Sequence, residues 1–348
     1  MNTIGYAAIS AETPLEPYRF ERRAPRADDV SLDILFCGVC HSDLHEVRND
    51  WGTTHFPLVP GHEIIGRVSA VGDAVSRYRP GDLVAVGTIV DSCRKCDQCR
   101  EGHEQFCREG ATFTAGVLDR ITGEYTQGGY SKAIVVREQY VLRLPDGLDP
   151  AHAAPLLCAG VTSWSPLRLH NIGPGSRVGV VGLGGVGHMA VKLAAGLGAD
   201  VTVISRTPDK EADVQMLGAG GLLVSTDDEA MAKRQASFDL IIDTVPVQHD
   251  IAPYVSLLDI DGALVIVGYF GPLADADTVP LIFGRRSITG SPVGSLAETQ
   301  ELLHFCAAKE IVPECEVIRM EQINSAFERM ARSAVRYRFV IDMSTLEG

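Results

Sequence analysis

Residues 177–200 read RVGVVGLGGVGHMAVKLAAGLGAD. An apolar run enters the triplet Gly182-x-Gly184-x-x-Gly187, a helical pattern leaves it, and a second apolar run, VTVIS, follows at 201–205. Gly182 permits a tight turn, Gly184 lets a pyrophosphate approach the backbone, and Gly187 allows the helix to pack closely on the strand; Gly185 and Val186 complete the turn. The free N–H groups at the helix start suit phosphate oxygens. A lone glycine triplet is weak evidence, because glycine-rich turns are common. Strand, turn, helix and strand in this order read as a dinucleotide site.

Further apolar runs, GGLLVST, FDLIIDTV and GALVIVGYF, succeed it at fairly regular intervals, with helical text between them. That βαβ rhythm predicts a doubly wound parallel sheet over residues 151–287. Residues 1–150 differ: VSLDILFCGVC, IIGRVSAVG, DLVAVGTIV and KAIVVREQYVLRLP are short β-rich runs punctuated by Gly and Pro, which predicts an all-β module. The tail, 288–348, offers two helical patterns and a last strand, RYRFVIDM. Its pattern alone leaves its partner open. A length of 348 residues suits two domains better than one core.

At the end of the second strand an NAD site calls for a carboxylate toward the ribose hydroxyls, and that carboxylate would repel a 2′-phosphate. Ser205 stands there instead, followed by Arg206, Thr207 and Lys210. Arg206 can pair with a phosphate, with Ser205 and Thr207 as neutral donors, so NADP is the expected cofactor. The competing reading makes Arg206 a solvated loop cation.

Asp and Glu number 45 against 31 Lys and Arg, a formal charge of −14, and no basic run offers a face to phosphates. Nucleic acid and anionic membranes are therefore poor partners. The amino terminus lacks a basic segment followed by an apolar one, and no apolar run would span a bilayer, so a cytoplasmic location is expected. The nine cysteines are an odd number, and four crowd into residues 93–107. In a reducing compartment such crowding reads as metal binding.

Cys93-x-x-Cys96-x-x-Cys99-x7-Cys107 is the spacing of a closed four-thiolate zinc site, which stabilises a loop that has little core of its own. His103 beside it reads as a surface residue. A second set is dispersed: Cys40 and Asp43 in CGVCHSD, His62 and Glu63 in GHE, and Cys158 in LLCAG. Alone, a buried Cys or His usually just packs. Together Cys40, His62 and Cys158 supply two thiolates and an imidazole and leave zinc a fourth position; Glu63 is a neighbouring group or transient ligand, and Asp43 can accept the other ring N–H of His62. Cys37, Cys306 and Cys315 fit neither set.

CGVCHSDLH, PLVPGHEIIGRV, the four-cysteine loop, GGYS, APLLCAGVTSWSPL, GLGGVGHMAVKLA and VRYRFVIDM occur in this order over nearly the whole chain. Together they resemble the medium-chain, zinc-dependent alcohol dehydrogenases, and within them the cinnamyl alcohol dehydrogenase branch with its bacterial aldehyde reductase relatives. The resemblance implies an α/β architecture: a GroES-like β-rich catalytic domain, completed by the C-terminal segment, around a Rossmann domain. It implies Cys40, His62 and Cys158 as catalytic zinc ligands with Glu63 beside them, the four loop cysteines as structural ligands, and hence two zinc ions per chain. Ser42 and His45 match the family's proton relay, His41 would lie near the pyrophosphate and Thr162 near the nicotinamide. Ser205 and Lys210 match the branch's phosphate-binding serine and lysine, whereas Arg206 and Thr207 replace two serines, which leaves the donors open.

The activity so implied is alcohol–aldehyde interconversion by hydride transfer with NADP(H), zinc acting as Lewis acid on the carbonyl oxygen. Trp51 either lines an apolar pocket suited to aromatic or medium-chain aldehydes or is a structural anchor. A homodimer built near RSITGSPV, residues 286–293, is implied as well. Three rival readings are an NAD-dependent short-chain alcohol or polyol dehydrogenase, a zinc-free quinone reductase or nucleotide-binding regulator, and a non-catalytic zinc- and nucleotide-binding protein. The ligand triad argues against the second, and the acidic charge and the βαβ series argue against a non-catalytic zinc-binding interaction or nucleic-acid module.

Overall fold

The computed structural model describes residues 1–273 and 277–347. The chain divides into two compact units, Met1–Cys158 with Ser295–Gly348, and Ala159–Gly294.

In the second unit the apolar runs form one parallel sheet of six strands. Arg177–Val181 lies between Asp200–Ser205 and Phe238–Asp243; Gly221–Val224 lies outside the former, and Leu258–Ile266 and then Ser287–Gly290 outside the latter. Numbered within the unit, the order is 3-2-1-4-5-6, with its reversal between the first and fourth strands. Val178, Val180, Val203, Leu240, Ile241 and Ile242 are fully buried, as strands covered on both faces must be. Helix Gly187–Gly196 buries Met189, Ala190, Val191, Leu193 and Ala194. Phe238, Ile241, Tyr254, Leu258 and Leu264 belong to a further core cluster.

The first unit is built on a seven-stranded sheet. Asp29–Val39 pairs with Ile64–Val71, Ala133–Arg137 and the late strand Arg338–Asp342, all antiparallel. Cys315–Arg319 runs parallel beside that late strand. Phe339 stands opposite Val39 and Val340 opposite Gly38, which brings Arg338 to the end of the strand from which Cys40 emerges. Two expected strands are broken. DLVAVGTIV divides after Val86: Leu83–Val86 joins the main sheet, while Ile89–Asp91 pairs with Thr112–Phe113 beneath the cysteine loop. KAIVVREQYVLRLP is interrupted by a 3-10 turn, Glu138–Tyr140, whose Glu138 carboxylate accepts the backbone N–H of Ser76 at 2.8 Å.

Helix Leu296–Lys309 starts from a capping box in which Ser295 and Glu298 satisfy each other's backbone N–H groups. Its buried residues Thr299, Leu302, Leu303 and Cys306 recur at three and four residues, the stripe that its sequence predicts. Glu104 of the cysteine loop accepts the first-turn N–H of Leu296 at 2.7 Å, a carboxylate at a helix N-terminus.

Candidate active site

Cys40, His62, Glu63 and Cys158 converge within the first unit, one ligand atom of each lying within 4.8 Å of the others. Cys40 follows strand Asp29–Val39 and caps helix His41–Val47, His62 and Glu63 immediately precede strand Ile64–Val71, and Cys158 follows a 3-10 turn, Ala154–Leu157. The Cys40 and Cys158 sulfurs are 3.8 Å apart. A disulfide holds its sulfurs at about 2.0 Å. Two thiolates each about 2.3 Å from a tetrahedral zinc stand roughly 3.8 Å apart, so the separation fits the metal.

His62 is held from behind. Its Nδ1 lies 3.0 Å from Asp43 Oδ1, which leaves Nε2, 3.4 Å from Ser42 Oγ, as its ligand atom. Asp43 is fully buried and also accepts the backbone N–H groups of Cys40 and Gly61, at 2.8 and 2.9 Å, and the Tyr130 hydroxyl at 3.1 Å. Four donors fix that carboxylate, and it in turn fixes the ring. Burial opposes charge on His62, but Asp43 and Cys158 together outweigh it and raise the imidazole pKa well above its ordinary value. The Cys158 thiol holds Cys40 well below the ordinary thiol range, while Cys40 and burial push Cys158 up. The pair is thus arranged as one thiolate and one thiol, and binding a metal ion releases the thiol proton together with the proton on His62 Nε2.

Glu63 forms a buried ion pair with Arg338 through one carboxylate oxygen, Oε1. The other, Oε2, is buried without a hydrogen-bond partner among the described residues. Burial lifts the Glu63 carboxyl to about 7 despite the guanidinium beside it. An orphaned carboxylate oxygen among two thiols and an imidazole suits a nearby cation. Sequence reasoning missed Arg338; the signal was an arginine at the start of the apolar run 339–341. It also missed Glu46, on the same helix as Ser42, whose carboxyl burial pushes up to about 7.

Cys93, Cys96, Cys99 and Cys107 form the other cluster, again within 4.8 Å, with Cys93 and Cys99 sulfurs 3.8 Å apart. Backbone N–H groups point at the sulfurs: Cys93 to Cys107 at 3.3 Å, Cys96 to Cys93 at 3.4 Å, and Cys99 and Arg108 to Cys96, both at 3.5 Å. The last two bring the Cys96 thiol down to about 6, toward the thiolate that a metal requires. Ser92 Oγ lies 3.1 Å from Cys99 Sγ and 2.7 Å from the buried Tyr140 hydroxyl, tying the loop to the 3-10 turn Glu138–Tyr140. His103 precedes a 3-10 turn outside this cluster.

In the second unit, the turn after Arg177–Val181 has the shape its glycines predict. A Cβ at Gly187 would fall 2.1 Å from the Gly182 carbonyl oxygen, so the helix approaches more closely than any side chain allows. A Cβ at Gly184 would meet nothing within 4 Å, which leaves the backbone open to a ligand of pyrophosphate size. Ser205 ends its strand, half-buried, with Arg206 and Thr207 exposed beyond it. The Thr207 N–H lies 3.5 Å from Ser205 Oγ, and Thr226 Oγ1 donates to the Arg206 carbonyl at 3.1 Å. Neither Arg206 nor Lys210 forms an ion pair with a carboxylate among the described residues. Thr162 is buried in helix Ala159–Leu169.

Ser42 and His45 stand three residues apart on helix His41–Val47 and so share a face. No hydrogen bond joins them. His45 Nδ1 lies 2.7 Å from Asp50 Oδ2, and its ring centroid is 5.5 Å from Trp51. His41, at the start of the helix, is exposed.

Residues 26–146 match the alcohol dehydrogenase GroES-like domain, and residues 185–308 the zinc-binding dehydrogenase domain. The chain is 50% identical over 347 residues to NADP-dependent alcohol dehydrogenase C of Mycobacterium bovis, covering 99% of this chain and 100% of that one. It is 48% identical to the aldehyde reductase YahK of Escherichia coli K12 over 97% of each chain. A cinnamyl alcohol dehydrogenase of Sorghum bicolor, SbCAD4, superposes with a TM-score of 0.96 at 43% identity, covering 100% of this chain and 99% of that structure.

Proposed function

Because the chain belongs to the zinc-dependent alcohol dehydrogenase family, with its GroES-like and nucleotide-binding domains, we propose that it interconverts primary alcohols and aldehydes with NADP(H), reducing aromatic, cinnamyl-like or medium-chain aldehydes. The observation that carries this reading is the convergence of Cys40, His62 and Cys158 with Asp43 behind the imidazole. NADP-dependent relatives and the missing strand-end carboxylate both favour NADP over NAD.

In this reading Cys40, His62 and Cys158 hold the catalytic zinc, and Cys93, Cys96, Cys99 and Cys107 the structural one. When bound, zinc supplies Lewis-acid polarisation of a carbonyl oxygen and NADPH supplies the hydride. Asp43 holds a proton of His62 on Nδ1 and so aims Nε2 toward the metal position. Glu63 places a negative charge beside the site, and Arg338 limits it. Ser42 Oγ passes a proton to the product oxygen and is reprotonated from His45, which, paired with Asp50, takes one from water. His41 and Thr162 complete the cofactor's surroundings, Gly182–Gly187 receive the pyrophosphate, and Ser205, Arg206, Thr207 and Lys210 receive the 2′-phosphate.

The test is an assay of NADPH and NADH oxidation with cinnamaldehyde, benzaldehyde, hexanal and acetaldehyde, run on protein of measured zinc content. The expected result is NADPH-linked reduction of the bulkier aldehydes at two zinc ions per chain. Two bound zinc ions with no turnover of any aldehyde would remove the proposed activity.

A second copy of the chain is the proposed partner. Strand Ser287–Gly290 is one of the two edges of the parallel sheet, and the helix before it exposes Ile282 at 68% and Phe283 at 85%. Apolar side chains beside an unpaired edge are costly in water and are covered by strand-to-strand pairing about a two-fold axis. Sedimentation should give a dimer for the wild type and a shift toward monomer for Phe283→Glu; a monomeric wild type at micromolar concentration removes this reading. Among the described residues no helix is long and apolar enough to cross a membrane. The cytoplasm is the proposed location, where reducing conditions keep the cysteines as thiolate ligands.

A further inference from the structure

Asp243 ends the fourth strand of the parallel sheet, opposite Val181 at the mouth of the glycine turn, and is fully buried. Its Oδ1 accepts the Val245 N–H at 3.1 Å, and its Oδ2 meets His249 Nε2 at 2.9 Å. The other ring nitrogen, Nδ1, donates to the Val247 carbonyl at 2.8 Å. Phe270 and Tyr254 flank the imidazole, with ring centroids at 4.8 and 6.0 Å. Residues 243–249 are thereby closed into a ring, and His249 is the one side chain that reaches the Asp243 carboxylate among the described residues.

The ring has a direct contact with the turn. Thr244 Oγ1 donates to the Val181 carbonyl at 2.9 Å and approaches the Gly182 carbonyl at 3.3 Å, while the Thr244 N–H also meets Val181 at 3.1 Å. Those carbonyls belong to the residues at which the chain leaves the strand and begins the Gly182–Gly187 turn. Burial raises the Asp243 carboxyl above its ordinary range, as expected for a group that depends on its few partners.

We infer that His249 is a positioning residue for dinucleotide binding: through Asp243 it closes residues 243–249 and holds Thr244 on the Val181 and Gly182 carbonyls, fixing the turn on which a pyrophosphate rests. The inference rests on the dinucleotide reading of residues 182–187. It concerns the part of the cofactor that NADPH and NADH share, so its signature differs from that of the 2′-phosphate residues.

Two substitutions separate the ring's hydrogen bonds. The amide nitrogen of His249→Gln falls near the position of Nε2 and keeps the bond to Asp243; that of His249→Asn falls near Nδ1 and keeps only the bond to Val247. Dissociation constants for NADPH and NADH are measured by fluorescence titration, and hydrogen exchange of the Gly182–Gly187 amides is followed in cofactor-free protein. His249→Asn should weaken both dinucleotides about tenfold, the ratio expected when one charge-assisted hydrogen bond is lost, and speed exchange at the turn. His249→Gln should stay close to wild type on both counts, and kcat at saturating cofactor should be unchanged in both. Equal behaviour of the two variants, a loss confined to NADPH, or unchanged exchange at the turn in His249→Asn would overturn the inference. Wild-type protein that binds neither dinucleotide would instead overturn the functional reading, and the exchange measurement would still decide what His249 holds.

Discussion

Cys40→Ala is expected to cut aldehyde turnover by roughly 10³- to 10⁴-fold, because a Lewis acid supplies several kcal/mol of charge stabilisation and each 1.4 kcal/mol or so is a decade in rate. Its affinity for NADPH should stay at the wild-type value. The contrast follows from where the residues lie. Cys40, His62, Glu63 and Cys158 all belong to the first unit, and the glycine turn and Ser205 belong to the second. Removing one of two thiols 3.8 Å apart leaves His62 and Cys158 too few donors for a tight tetrahedral site. Metal analysis should find the zinc of Cys93, Cys96, Cys99 and Cys107 retained, about one ion per chain in place of two. Wild-type turnover by the variant with one verified zinc per chain would end the catalytic assignment of Cys40.

The second large effect concerns cofactor choice. Ser205→Asp restores a carboxylate at the strand end, where it can accept hydrogen bonds from ribose hydroxyls but faces a 2′-phosphate as a like charge. Two unit charges about 4 Å apart repel by roughly 1 kcal/mol in water and 4 kcal/mol near a protein surface. The expected outcome is a rise in the NADPH dissociation constant on the order of a hundredfold, with NADH binding unchanged or tighter. The positive charges of Arg206 and Lys210 should moderate the repulsion, so adding Arg206→Ala should enlarge the effect. Equal loss for NADPH and NADH would mean that the substitution had damaged the fold, and no loss at all would move the 2′-phosphate elsewhere.

How far the molecule could be read from its sequence depended on how local each feature is. Gly182, Gly184 and Gly187 lie within one turn, and the strand and helix that give the triplet meaning are contiguous with it. The four thiols at 93–107 are likewise close in sequence, so their spacing alone limits what they can form. Cys40, His62 and Cys158 are different. As fragments each has an ordinary packing explanation; their donor chemistry suggests one zinc set, and the resemblance over nearly the whole chain assigns that set to the catalytic metal.

What stayed illegible was tertiary. Nothing near Arg338 in the sequence announces Glu63, because the pairing depends on the register of Arg338–Asp342 against Asp29–Val39. Asp243 and His249 are six residues apart, yet their contact depends on how the segment after a strand closes on itself. DLVAVGTIV reads as one strand because its apolar content is continuous; Gly87 and Thr88 let the backbone leave one sheet and enter another, and apolar content carries no trace of that departure.

The pairing of Glu63 with Arg338 also has a meaning in time. The two residues are 275 positions apart along the chain. On a ribosome adding roughly 5–20 residues per second, the carboxylate is made roughly 14–55 s before its cation. Throughout that interval the nascent Asp29–Val39 lacks one of its three partner strands, and Glu63 must remain in water or be protonated, since burial without Arg338 is costly. A strand translated 275 residues later is therefore the one that locks the first sheet, and the surroundings of Glu63 are complete only once Arg338 has been made.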